Sequence, residues 1–278
     1  MTRTSIRAFG IEPHYEPYSL RQARYFELGI DVARYAGHHF ARTGRPVELL
    51  DVGVFDGVAR RYIEAHPGGE HVVYHAVDNY PHGESFVYKH ADWTHHHLDL
   101  EEGLGPLPAE RYDVVICEQV LEHLHRFRPT LADLQRVART GGMLVLGVPI
   151  FPHGVHLIRR HVVPITDRLF RVKKQRGHVQ AFSSITFLRV VRELCPQLAI
   201  DRVRGFRIVS GGLVLPLEHY RWWWRVNRWL GALVPSLCTE IQLVLVRRGR
   251  AAGVDSAAGG DEHSASDRNG GREEDVIP

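Results

Sequence analysis

The chain reads as an α/β protein built on a mostly parallel sheet. Three observations predict this. Short apolar runs alternate with segments of helical period from residue 47 to residue 148. The run Tyr112-Asp-Val-Val-Ile-Cys117 is apolar almost throughout, as strands covered on both faces are. A glycine-containing turn follows the first strand directly, before a helix.

Taken in order, Tyr25, Leu28, Val32 and Tyr35 recur at helical spacing and predict a first helix. Pro46 opens the first strand, Val47 to Val52, and Gly53-Val-Phe-Asp-Gly57 turns the chain into a helix from about Val58 to Ala65. His71 to Asp78 is a second strand closed by an acid, and a short third strand falls near His95 to Leu98. After Tyr112 to Cys117, the residues Leu131, Leu134 and Val137 give a helix that Gly141-Gly142 would stop. Met143 to Val148 is the next strand. Beyond Pro149 the rhythm breaks, and residues 150–178 read as an insertion. A helix from about Ser184 to Leu194, capped by Ser183 or Ser184, comes next. Two strand-like runs, near Ile200 to Val209 and Glu240 to Val246, are expected to pair antiparallel at one sheet edge.

Hydrophobic residues make up 44% and charged residues 24% of the 278 positions, which excludes wholesale disorder and a fibrous repeat. No run approaches the ~18 consecutive apolar residues of a membrane span, and the first residues lack the apolar centre of a secretory signal. Cys117, Cys195 and Cys238 are odd in number and form no CxxC, which fits a reduced, cytoplasmic setting without structural zinc. His95, His96 and His97 alternate between the two faces of a strand, so no metal site is expected there.

Residues 1–19 read as an extended arm and 20–248 as a single domain. Residues 249–278 read as a disordered tail, with almost no large apolar side chain and three basic against seven acidic residues. The insertion carries Arg159, Arg160, Arg168, Arg171, Lys173, Lys174 and Arg176 against Asp167, which makes either a solvated face or a recognition surface for an anionic molecule. Tyr220 to Trp229 mixes tryptophan with arginine and suits a membrane interface, a packed edge or an oligomer surface. No RNA-binding module is recognisable, so nucleic acid is not the expected partner.

The first strand-turn-helix is the most informative element. Its glycines let the backbone approach a ligand, and the following helix presents free N–H groups. Asp51 sits inside the strand end, and Asp78 closes the next strand about twenty residues on, where a carboxylate can accept both hydroxyls of a ribose. Dinucleotide sites require GxGxxG, which the turn does not supply. An acid followed by spaced glycines, here Asp51, Gly53 and Gly57, is instead the pattern of S-adenosylmethionine sites.

Four stretches carry a resemblance in order: VELLDVGVFDG, HAVDNY, LDLEEGLGPLPAERYDVVICEQVLEHL and LQRVARTGGMLVLGVP. Together they resemble the class I S-adenosylmethionine-dependent methyltransferases, close to the methyltransferase-11-like group. GHVQAFSSITFLRVVREL is similar to the family's segment after the fifth strand. The resemblance implies a doubly wound, mostly parallel seven-stranded sheet of Rossmann-like type with an antiparallel edge strand. It implies S-adenosylmethionine as cofactor and methyl transfer by in-line displacement. The acceptor would be a small molecule or a glycan- or lipid-linked intermediate, methylated on oxygen.

The resemblance also assigns roles to residues. Gly53 to Gly57 would approach the methionine part of the cofactor, supported by Asp51. Asp78 would hold the ribose, with Asn79 beside it. Asp99 and Leu100 would border the adenine, and Glu118 with Gln119 would lie beside the methyl donor. Phe55 stands where the family usually has a middle glycine, so either the turn is rearranged or the ring packs over the cofactor. His123, in LEHL after the fourth strand, is the best-placed base for an oxygen or nitrogen nucleophile, and His153 and His178 flank the insertion as further options. N- or C-methylation of another metabolite, and a non-catalytic binding protein of the same fold, remain open on sequence alone.

Overall fold

The computed structural model describes residues 19–54, 57–79, 92–157, 161–162, 165, 179–210 and 212–249. The elements in chain order are α1 (Ser19–Thr43), β1 (Val47–Val52), α2 (Val58–Glu64), β2 (Val72–Asp78), β3 (Thr94–His97), β4 (Tyr112–Glu118), α3 (Phe127–Val137) and β5 (Ala138–Pro149). After the insertion come α4 (Ser184–Leu194), β6 (Leu198–Phe206), α5 (Arg221–Leu233) and β7 (Glu240–Arg247). The expected arm before Ser19, Phe55, the basic residues of the insertion and the expected tail after Gly249 lie outside the described residues.

The strands form one seven-stranded sheet in the order β3-β2-β1-β4-β5-β7-β6. Strands β3, β2, β1, β4 and β5 pair in parallel, whereas β7 runs against both β5 and β6. The antiparallel pair therefore stands at the sheet edge, with β6 outermost and β7 next to it. The order reverses between β1 and β4, and such a reversal opens a crevice at the carboxyl ends of the strands.

Every residue of β4 is buried, since the sheet is covered on both faces. Its side chains alternate between two cores. Val115 and Cys117 pack with Leu131, Leu134 and Val137 of α3 and with Phe187 and Val191 of α4. Val114 and Ile116 pack with Leu28, Val32 and Ala36 of α1 and with Ala59 and Ile63 of α2. A smaller third cluster joins Leu20 and Ala23 of α1 to Phe206 and Trp224, which seats α5 at the start of α1.

Several boundaries differ from the sequence expectation, among them β6, which ends at Phe206 and not near Val209. Helix α3 stops at Val137, not at the glycine pair, because the backbone N–H groups of Glu110 and Arg111 take the carbonyls of Arg136 and Val137 at 2.9 Å. Gly141 and Gly142 instead lie within β5, at an irregularity where the pairing with β4 jumps from Tyr112↔Ala138 to Val114↔Met143. Gly141 has φ +78°, and a Cβ on Gly142 would meet the carbonyl oxygens of Arg139 and Asp113 within 3 Å. The aromatic and basic stretch from Tyr220, given no secondary structure from sequence, forms α5.

Helix α4 begins as expected. Ser183 caps it, accepting from the backbone N–H of Thr186, while the Thr186 side chain accepts from the N–H of Ser183.

Candidate functional site

The crevice at the strand ends is a cleft of about 590 Å³. The turn after β1 forms its first wall. Gly53 has φ +73° and donates its N–H to the carbonyl of Val77 at 2.8 Å, which ties the turn to β2. A Cβ at Gly53 would lie 2.3 Å from Cγ2 of Val120, so glycine is required both by conformation and by the approach of the loop after β4. Gly57 has φ +69° and opens α2 but stands behind the lining.

The carboxyl end of β2 supplies Asp78, buried against the cleft, whose Oδ1 accepts from the N–H of Asn79 at 2.8 Å. Asp51, the last residue but one of β1, lines the same cleft. Beyond β3, Asp99 and Leu100 line the cleft, and Asp99 Oδ1 accepts from the N–H of Glu101 at 2.9 Å. That carboxylate shapes its own loop as well as facing the cleft.

Glu118 ends β4 and is buried. Gln242 Nε2 donates to its Oε1 at 2.8 Å, and Arg24 Nε stands 3.6 Å from its Oε2. A Cβ at position 147 would sit 2.2 Å from that carboxylate, so Gly147 makes its room. Burial pushes Glu118 up to about 7 despite Arg24 and Gln242. Arg24 is held charged although burial opposes it, and its shorter contact is with Glu240, at 2.8 Å. The next residue, Gln119, has φ +58°, a conformation that costs a side-chain-bearing residue about 1–3 kcal/mol, and donates its N–H to Gly147 at 2.9 Å.

The loop carrying Leu121-Glu-His123 completes the wall. His123 lines the cleft half-exposed, with Nε2 3.8 Å from Glu122 Oε1. Glu122 itself is wholly buried, and neither of its carboxyl oxygens meets a hydrogen-bond partner on another described residue. Burial pushes it up to about 8. Its carbonyl accepts from the N–H groups of Val179 and Gln180, at 2.8 and 2.9 Å, which pins the loop to the segment before α4. His153 lies away from the cleft lining, with Nδ1 3.1 Å from Ser183 Oγ, and His178 falls outside the described residues.

Of the residues expected at the site, Asp51, Gly53, Asp78, Asn79, Asp99, Leu100, Glu118 and His123 thus converge on one cleft. Sequence reasoning missed Tyr25, which also lines it and carries Arg24 over its ring at 4.6 Å. It also missed Glu240 and Gln242, which β7 brings beneath Glu118. These residues come from the first helix and the last strand, where no local motif marks them. Among the described residues the lining holds five carboxylates and neither lysine nor arginine, which favours a ligand that bears positive charge.

Residues 50–146 match the family model described as a methyltransferase domain. That segment is similar to methyltransferase domains. A putative methyltransferase from Bacillus halodurans shares the fold of this chain at 16% identity and a TM-score of 0.50, over 80% of this chain and 98% of that one. The YcgJ protein from Bacillus subtilis does so at 15% and 0.51, over 81% and 99%. The [4+2]-cyclase SpnF also shares it, at 12% and 0.51, over 81% of this chain and 80% of its own, so the fold by itself does not settle the chemistry. A search of curated proteins gave no sequence match. Methyltransferases of this class use S-adenosylmethionine. The cleft fits that donor by its glycine at φ +73° where the backbone must come close, its carboxylate at the end of β2 and its carboxylate-rich lining.

Proposed function

We propose that the cleft binds S-adenosylmethionine and that the chain transfers a methyl group to a small-molecule or glycan- or lipid-linked acceptor, on oxygen. The observation that carries this is the convergence of Asp51, Asp78, Asp99 and Glu118 around a turn held open by Gly53, with no cationic side chain among the described lining residues except the titratable His123. When bound, the cofactor supplies a sulfonium methyl whose leaving group needs no further activation.

Asp78 holds the ribose hydroxyls and Asp99 with Leu100 borders the adenine. Gly53 admits the methionine part, with Asp51 behind it. Asn79 flanks the same path. Glu118 and Gln119 stand at the methyl end. The protein excludes water there and holds the acceptor oxygen in line with the bond that breaks. His123, which lines the cleft, takes the acceptor's hydroxyl proton on its imidazole. The surplus of seven basic residues over one acid in the insertion supports an anionic acceptor.

Calorimetric titration with S-adenosylmethionine and with its demethylated product tests the first step. Both are expected to bind, and failure of both would overturn this reading and favour a non-catalytic protein of this fold. Incubation with cell extract and methyl-labelled cofactor then identifies the acceptor through its labelled product.

A further inference from the structure

Helix α5 has two unlike sides. Trp224, Asn227 and Gly231 are buried. Trp224 packs on Leu20, Ala23 and Phe206, and Asn227 accepts from the N–H of Val209 at 3.1 Å. On the opposite side Trp222, Trp229 and Leu233 are 52, 62 and 58% exposed, and Val226 continues their stripe at helical spacing. Leu237, in the turn that follows, is equally exposed. Arg225 is exposed beside the stripe, and Arg228 is more than half exposed while it holds Glu27 at 2.9 Å. The one acid between residues 212 and 239 is Glu218, which is buried and accepts from Ser210 Oγ at 2.8 Å. The outward face of this excursion thus combines tryptophan, leucine and arginine with no acid of its own.

From these residues we propose that the outward face of α5 docks on an anionic lipid bilayer. Tryptophan settles where apolar and aqueous surroundings meet, and arginine beside it pairs with lipid phosphates. A two-fold contact with a second copy would set the same arginines against each other without an acid of the excursion between them. The excursion leaves β6 at Phe206 and rejoins the sheet at Glu240, residues that pair with one another, and Glu240 pairs in turn with Pro149. Both ends of the excursion therefore lie at the end of the sheet where the cleft opens. Docking of α5 requires nothing of the methyl-transfer reading.

The full chain is to be sedimented with vesicles of phosphatidylcholine alone and with vesicles of phosphatidylcholine and phosphatidylglycerol, following tryptophan emission in parallel. Partition into the anionic vesicles with a blue shift, reversed by salt, is expected. W222S combined with W229S should lower partition about tenfold or more, and R225Q about fivefold. Both tryptophans are surface residues, so the double variant should keep the parent's thermal midpoint and its affinity for S-adenosylmethionine; R225Q gives the same reading should it not fold. Absence of binding to anionic vesicles, or binding that neither variant weakens, overturns the proposal. So does self-association in sedimentation equilibrium that the tryptophan changes abolish without any vesicle binding.

Discussion

At the scale of single residues, the cleft depends on groups held where water cannot fully solvate them. Asp78 is buried with one oxygen already accepting from Asn79, so it is oriented before any ligand arrives. Asp78→Ala should weaken S-adenosylmethionine binding by about 1–3 kcal/mol through loss of charge-assisted hydrogen bonds; unchanged affinity in a calorimetric titration would remove Asp78 from the site. His123 is placed differently, half-exposed on the far wall. His123→Ala should lower turnover far more than cofactor affinity, and near-normal turnover in a methyl-transfer assay would end its role as base. The sequence made these two residues visible because Asp78 closes a strand and His123 lies in the loop after one. It did not disclose Glu122, whose position inside the same LEHL motif carries no sign that its carboxyl is wholly enclosed.

At the scale of elements, strands were easier to read than their edges. Tyr112 to Cys117 is apolar because both faces of β4 are covered, and that cause is local to the run. The early start of β5 at Ala138 was hidden, since ARTGG has the composition of a turn and pairs only through an irregularity with β4. Helix α5 was hidden for another reason. Its partners are Leu20 and Ala23, some two hundred residues earlier, and three adjacent tryptophans show no amphipathic period by themselves. The cap of α4 was legible, because Ser183 and Thr186 stand at the required spacing. Ser183→Ala should cost about 0.5–2 kcal/mol in urea denaturation. A change near zero would show that Thr186 alone suffices to start the helix.

For the whole molecule, stability should depend on pH through the buried carboxyls. Burial raises Glu118 to about 7 and Glu122 to about 8, from an ordinary 4.5. The folded chain therefore keeps protons that the unfolded chain has already released between those values. The stability they confer is complete below about pH 4.5 and is lost as the pH climbs through about 7 to 8. The thermal midpoint should fall across that window in scanning calorimetry, and Glu122→Gln should flatten the upper part of the fall; a midpoint indifferent to pH would mean that water reaches both groups. Deleting every residue after Arg248 should leave the midpoint unchanged, because β7 ends at Arg247 and Arg248 closes against Gln197 at 2.8 Å. A clear drop would mean that the tail is docked. The place of β7 also bears on how the protein is made. The strand is synthesised last, yet it fills the slot between β5 and β6. Until residues 240–247 emerge from the ribosome, the nascent protein presents both neighbours as open ladders. A fragment terminated before Glu240 would be drawn to pair with foreign strands, having no means to complete its own sheet.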